Sequence, residues 1–525
     1  MQASRTDATT ISMMPNTAWV FLLCLMALPA PCAETLALAD ASMGNDTAQF
    51  NALLKGGADP NVRAQFGTPA LHWRVEADDV ADVRRLLEAG ADANELTERG
   101  ISPLSLAIAN GNPEMVKVLL DAGAKAEQLE PGGETLLMHA ADAGVREVVD
   151  LLLQHGAQVD TRESQGQTAL MFAARAGHAD VVATLLVHGA QPNVATPVGR
   201  APNFIKPNSV PGFGFGVGII RGGVPADRGR REPQPGGLTP LHYAARENHV
   251  EAARLLVKAG ANINAREAND ITPLLMAISN NGVATAEYLL ANGGEVNAQD
   301  WYGRTPLWEA VNVRNLYVHN VTLKNGIDRE PVLALIKELL AAGADVNART
   351  KETPPFRNYL LGVTGSLEWV DFTGQTPFLT ASLAGDVTVM KLLLEHGADP
   401  HIDTFQGTSP LMAAAGVNWV VAQTWTESPE QLLEAVKLCY SLGMNVNQAN
   451  SMGITALHGA ANRGSDDIIR FLVEHGADLT AKDNEHRSAL DWAQGVFLAT
   501  HPPEAKPTSI ALITELLKAR GLEVR

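Results

Sequence analysis

Three cysteines in 525 residues rule out a disulfide framework: Cys24 and Cys32 lie at the extreme N-terminus and Cys439 stands alone beyond them. One thiol makes no internal disulfide, zinc site or redox pair. Such scarcity is neutral about compartment and compatible with export. Aromatics are only 5% of the chain, as suits thin helical layers. Cations are outnumbered, and the net charge is −18. Nucleic acid needs a basic stripe, so it is excluded as a partner. The acidic balance suits a self-repelling, monomeric chain and leaves room for a basic protein partner. It also serves plain solubility.

No apolar run is long enough to cross a membrane. The longest, AWVFLLCLMALPA from Ala18 to Ala30, has the length of a signal-peptide core, and no charge occurs between Asp7 and Glu34. Residues 1–33 are therefore read as a signal peptide cut after Ala33, which makes the chain secreted or periplasmic. The alternative is an uncleaved tail on a cytoplasmic protein. Arg5 is the only positive residue before the core, and Pro31 is a poor fit two before the cut.

A period dominates what is present. Leu-Leu-x-x-Gly-Ala endings place marker glycines at Gly57, Gly90, Gly123, Gly156 and Gly189, 33 residues apart. The ending returns at Gly260, Gly293, Gly343, Gly397, Gly443 and Gly476. A unit of that length cannot bury its own apolar face, so units must stack. About half a period after each marker comes a second pattern, as in GLTPLHYAARENH from Gly237, GQTALMFAARAGH from Gly166, GRTPLWEAV from Gly303 and GITALHGAANRG from Gly453.

Together these patterns resemble the ankyrin-repeat family, over roughly residues 36–525. The resemblance implies a β-turn finger and two antiparallel helices per repeat. The expected fold is an all-α ankyrin-repeat α-solenoid of about twelve helix pairs with several long loop insertions. The residues agree. Thr before Pro can cap a helix, Pro suits the first helical position, and the marker Gly suits a left-handed turn at the helix end. Small pairs such as Ala244–Ala245 let helices approach closely. Some repeats depart from the pattern. Asp270 replaces a finger glycine, Pro69 and Ala70 stand where Thr and Pro belong, and Arg520 takes the place expected for the last marker. The first unit, around Leu36–Gly57, is degenerate, as a capping unit should be.

Where the period lengthens, the chain has been customised. From Gly189 to Gly260 there are 38 extra residues, then 17, 21 and 13 in the intervals ending at Gly343, Gly397 and Gly443, and 11 before Arg520. Two insertions fall in fingers, at Pro197–Pro235 and about Lys351–Val370. Three fall between paired helices, around Asn315–Arg329, Val417–Ser428 and Gly495–Lys506. The organisation is a signal peptide (1–33), regular repeats (34–196), a Pro/Gly-rich basic insert (197–236), and repeats with insertions and a C-terminal cap (237–525). Insertions are also tolerated by neutral drift, since loop length costs little. The first insert is basic and apolar by turns, with Arg228, Arg230, Phe213 and Phe215, and suits a loop better than a third element.

Several features tempt a chemical reading and do not support it. GFGFGVG at Gly212–Gly218 matches neither GxGxxG nor Walker A. His155, His188, His396 and His475 each precede a marker Gly. Equivalent positions in stacked layers lie about 8–10 Å apart, too far to share a zinc with ligands near 2 Å. A cation there suits the helix dipole. His242 and His458, in the TPLH box, are implied by the resemblance to make a structural hydrogen bond between fingers. A ladder through Trp73, Leu106, His139, Phe172, Tyr243 and Met276 reads as core packing before groove. No catalytic constellation, metal site or cofactor motif appears, so no enzyme is expected.

The finger tips carry Phe66, Trp301, Tyr302, Arg304, Phe372, Phe405 and Met452. Large apolar groups on turns are unfavourable unless covered, and Trp, Tyr and Arg are common hot spots. Packing against a neighbouring insert is the competing account. The expected function is a protein–protein interaction scaffold using the concave inner helices and finger tips. Two alternatives remain. One is a ligand-binding or enzymatic site built by the insertions, lined by Trp369, Trp419 and Trp425. The other is a self-associating structural protein.

Overall fold

The computed structural model describes residues 38–44, 46–64, 67–199, 235–315, 328–351, 370, 373–418, 427–496 and 503–524. These contain twelve antiparallel helix pairs, and no strand occurs among them. The pairs begin with α1 (residues 38–43) and α2 (Thr47–Lys55). They continue with α3 (Ala70–Glu76) and α4 (Val80–Glu88), then α5 (Pro103–Asn110) and α6 (Pro113–Asp121). Next come α7 (Leu136–Ala143) and α8 (Arg146–Gln154), α9 (Ala169–Ala176) and α10 (Ala179–Val187), and α11 (Pro240–Arg246) and α12 (Val250–Lys258). The middle pairs are α13 (Pro273–Ser279) and α14 (Val283–Ala291), α15 (Pro306–Arg314) and α16 (Arg329–Ala341), and α17 (Pro377–Ala384) and α18 (Val387–Glu395). The last are α19 (Pro410–Ala415) and α20 (Pro429–Ser441), α21 (Ala456–Arg463) and α22 (Asp466–Glu474), and α23 (Ala489–Gly495) and α24 (Pro507–Ala519).

The chain divides into two compact units, Met1–Leu106 with Asp121–Ala124, and Ala107–Leu120 with Lys125–Arg525. In the first, Arg74 of α3 lies against the Phe50 ring at 4.3 Å and pairs with Asp82 of α4 at 3.6 Å. In the second, the first helix of each pair packs on the first helix of the next, from α7 through α23. Buried alanines make this approach possible: Ala173, Ala174, Ala244, Ala245, Ala460 and Ala461 are all fully covered.

Local chemistry explains the repeat. Thr272, Thr305 and Thr376 accept the backbone N–H three residues on with their hydroxyls, at 3.3, 3.2 and 3.2 Å. The following prolines take the first helical position, where no donor is missed. Pro69 caps α3 without a side-chain bond. Every second helix then turns out through a marker glycine in the left-handed region, for example φ +86° at Gly343 and Gly397. Cys439–Gly443 keeps this turn despite its altered sequence, with Gly443 at φ +89°.

The expectation for the last marker is corrected. The last marker is Gly521 and not Arg520. Gly521 has φ +67°, and its N–H donates to the Lys518 carbonyl while Leu522 N–H donates to that of Leu517. Gly90 and Ala91 make the same pair of bonds with Leu87 and Leu86. The final interval therefore carries 12 extra residues. The insertions between paired helices also gain structure at one end. α16, α20 and α24 run 13 residues, whereas α14, α18 and α22 run 9.

Candidate functional site: the finger row

From Gly236 onward the fingers are tied to one another through their backbones. Ala268 N–H donates to the Gly236 carbonyl at 3.1 Å, Trp301 to Asn269 at 3.0 Å, and Lys351 to Tyr302 at 2.7 Å. The series continues with Phe405 to Thr373 at 2.9 Å, Ser451 to Gln406 at 2.8 Å, and Asn484 to Met452 at 3.0 Å. Each tip thus fixes the next, and the row presents its side chains from a braced backbone.

The candidate residues are sorted by this arrangement. Among the described candidates Phe405 is the most open, 55% exposed. One face of its ring is covered by the Arg349 guanidinium at 4.2 Å. Arg349 is itself held by the carbonyls of Gly374 and Asp403, at 3.1 and 2.6 Å. Trp301 and Met452 are half-buried on their tips. Tyr302 and Arg304, expected at the surface, are buried instead, with Arg304 only 8% exposed. Phe66 and Phe372 lie outside the described residues, as do Trp369, Trp419, Trp425, the GFGFGVG segment and residues 1–33.

Arg304 is turned inward by charge. Its Nε donates to Asp300 Oδ2 at 2.7 Å and its Nη1 to Glu309 Oε2 at 3.5 Å. Glu309 is fully buried on α15 and accepts from the Ser279 hydroxyl at 2.8 Å. Burial pushes the Asp300 carboxyl above the usual range, and Arg304 opposes that shift. Burial works against the charge on Arg304, but Glu309 and Asp300 outweigh it and hold the guanidinium protonated. Sequence reasoning missed this cluster. The available signal was Glu309, an acid in the ladder position held elsewhere by Tyr243 or Met276.

That ladder is mixed. Phe172 and Tyr243 are buried beneath Arg175 and Arg246, at 4.7 and 5.0 Å. Trp73, Leu106 and Met276 are half-buried, and His139 is exposed beside Glu134 at 3.0 Å. Of the box histidines His242 and His458, His242 bridges fingers, whereas His458 is held within its own turn, its Nδ1 accepting the Thr455 N–H at 3.0 Å. His242 Nε2 lies 3.0 Å from the Ile271 carbonyl, and its Nδ1 accepts the Thr239 N–H at 3.2 Å, which places the ring proton on Nε2. His72 Nε2 meets the Ile101 carbonyl at 3.1 Å. The four histidines before marker glycines each turn Nδ1 onto the carbonyl four residues back, at 2.7–3.0 Å. They cap their own helices, and no metal-holding group of acids, Cys and His occurs among the described residues.

A second set of residues missed in the sequence lies four positions after the marker glycines. Asn61, Asn94, Asn193, Asn264, Asn297, Asn347 and Asn447 each donate Nδ2 to the carbonyl of the next marker Gly, at 2.9–3.3 Å. For Asn264, Oδ1 also accepts the Glu295 N–H at 2.8 Å. The recurring Asn in GADPN, GADAN and ADVNA was the legible signal.

The fold and this row define a helix-pair repeat protein with a braced edge of turns. The chain belongs to the ankyrin-repeat family. Family models described as ankyrin repeats match residues 38–130, 123–196 and 427–495, 241–290, and 373–405, together more than half of the chain. Among similar curated proteins is ankyrin repeat domain-containing protein 63 of Homo sapiens, 33% identical over 124 residues, 23% of this chain and 30% of that one. NF-kappa-B inhibitor alpha of Sus scrofa is 33% identical over 130 residues, covering 23% and 37%. Alpha-latrocrustotoxin-Lt1a of Latrodectus tredecimguttatus is 29% identical over 123 residues, covering 23% and 8%. The match thus spans less than two fifths of each of these relatives. The solved human ASB11 ankyrin repeat domain aligns with 49% of this chain and 98% of its own, at 27% identity and a TM-score of 0.37. No helix among the described residues is long and apolar enough to cross a membrane.

Proposed function

We propose that this chain is a protein-interaction scaffold that engages its partner through the finger row between Trp301 and Met452. The observation that carries the reading is Phe405. A phenyl ring more than half exposed, stacked under an arginine that two carbonyls hold in place, is a preformed contact. Ordering such groups before binding reduces the entropy lost in the complex. Trp301 and Met452 extend the contact along the row, whereas Tyr302 and Arg304 support it from beneath. We further propose a monomeric chain working in an exported compartment, with a partner that complements its net charge of −18.

Two measurements test this. Proximity labelling in the envelope by the full chain, compared with a Trp301→Ala/Phe405→Ala double variant of equal stability, should identify a protein lost with the variant. That protein, once purified, should bind the parent at least tenfold more tightly than the variant. Equal binding would remove the finger row from the interface. N-terminal sequencing of the exported chain should begin at Glu34. A chain found whole in the cytoplasm would overturn the compartment.

A further inference from the structure

Repeats that meet only their neighbours behave as a one-dimensional array, with stability summed over units and adjacent interfaces. One cluster here reaches further. Arg329 opens α16. Its Nη2 donates to Asp386 Oδ2 at 3.1 Å, at the N-cap of α18, one repeat on. Its Nη1 pairs with Glu427, immediately before the N-cap of α20, two repeats on. Arg314, at the end of α15, donates Nε to the same Asp386 oxygen at 2.9 Å and also bonds the Arg329 carbonyl. Asn315 Oδ1 accepts from Arg329 Nη2 at 3.1 Å. Glu427 N–H closes the set on the Ala384 carbonyl at 3.0 Å. Asp386 is only 2% exposed, so its own charge is little screened by salt.

Asn315, Arg329 and Glu427 of this cluster border insertions. Asn315 and Arg329 flank the one between α15 and α16. Asn418 and Glu427 flank the one between α19 and α20. Val370, at the end of the finger insertion before α17, donates its N–H to Asn418 Oδ1 at 3.4 Å, and both residues are buried. Arg463 of α21 makes a second bond that skips a repeat. Its Nη1 meets the Ala414 carbonyl at 2.9 Å and its Nη2 the Leu383 carbonyl at 3.4 Å.

We propose that Arg329, Asp386 and Glu427 clasp the three repeats from α15 to α20 into one cooperative block, which holds the described ends of three insertions in fixed register. A displacement at one of those ends is then transmitted to the others. Repeats joined only to their neighbours need not open together.

Hydrogen exchange of the full chain across a urea series reads this directly. In the parent, amides of α16, α18 and α20 should lose protection at one common midpoint. Arg329→Gln should split them, with α20 opening at lower urea than α16. Glu427→Gln should split them in the same sense, because it keeps the Arg329–Asp386 pair and removes the charge only from the long link. Lys391→Gln removes the exposed Lys391–Glu434 pair between α18 and α20, and it should leave the common midpoint intact. Staged loss in the parent would overturn the clasp, as would an unsplit midpoint in Glu427→Gln. Should Arg329→Gln unfold the whole chain, the Glu427→Gln result decides alone.

Discussion

A glycine can be required for its backbone or for its lack of volume, and the two cases separate in this chain. At Gly343, with φ +86°, an added Cβ would meet nothing within 4 Å. Gly343→Ala should therefore cost only the left-handed strain, about 1–2 kcal/mol. Gly343→Asn should cost less, because Asn tolerates that region. At Gly237, with φ +75°, the same atom would lie 2.9 Å from the Ala268 backbone nitrogen. Gly237→Ala should cost more than Gly343→Ala and disturb the neighbouring finger, as urea midpoints and amide shifts would report. A buried charge shows the same dependence on surroundings. Arg304→Ala would take away the cation that Asp300 and Glu309 face. Leaving buried carboxylates without it should cost ~3–5 kcal/mol, against well under 1 kcal/mol for the exposed Lys391→Ala. A small loss at Arg304 would show that water reaches the cluster.

At the scale of the element, a finger or a helix pair owes its position to the next one. The backbone bonds between tips join fingers along one edge, and the Asn side chains join repeats at the turns after the marker glycines. Asn264→Ala would lose bonds to the Gly293 carbonyl and the Glu295 N–H. The expected cost is about 1–2 kcal/mol, and exchange should quicken on both sides of that junction. Effects confined to the Asn264 repeat would mean that stacking of the helices holds the junction without the amide. The longer outer helices α16 and α20 add a further tie of this kind, since their first turns carry or adjoin the residues of the Arg329 cluster.

For the whole molecule, the box histidines predict sensitivity to acid. Burial lowers the pKa of His242 from 6.5 to about 4, and burial also lowers those of His72 and His458. The fold favours the neutral ring, so the unfolded chain takes up the proton first. Stability from this source is complete above pH 6.5 and falls as the pH drops toward 4. His242 alone should account for a loss of about 2 kcal/mol between pH 7.5 and pH 5. His242→Gln should lower stability at pH 7.5 and flatten the dependence on pH. Parallel pH profiles for parent and variant would show that His242 does not titrate on unfolding.

The repeat, its helix boundaries and the twelve pairs were legible because they rest on local chemistry. A Thr-Pro start, a small-residue face and a left-handed Gly each act within a few residues, so their spacing shows in the sequence. Even the displaced final marker was in principle readable, since Gly521 follows the last helix as Gly90 follows its own. The orientation of the finger-tip side chains was not readable. Trp301, Tyr302 and Arg304 lie within one tip, yet only tertiary packing sets Arg304 against Asp300 and Glu309 and buries Tyr302, while Phe405 stays open under Arg349. The Arg329 link to Glu427 lay further out of reach, because its partners are separated by two helix pairs and two insertions. The sequence by itself determined which units stack. The tertiary structure decided which charges are desolvated, and so which side chains brace the array and which remain at its surface, because desolvation depends on neighbours that no local spacing encodes.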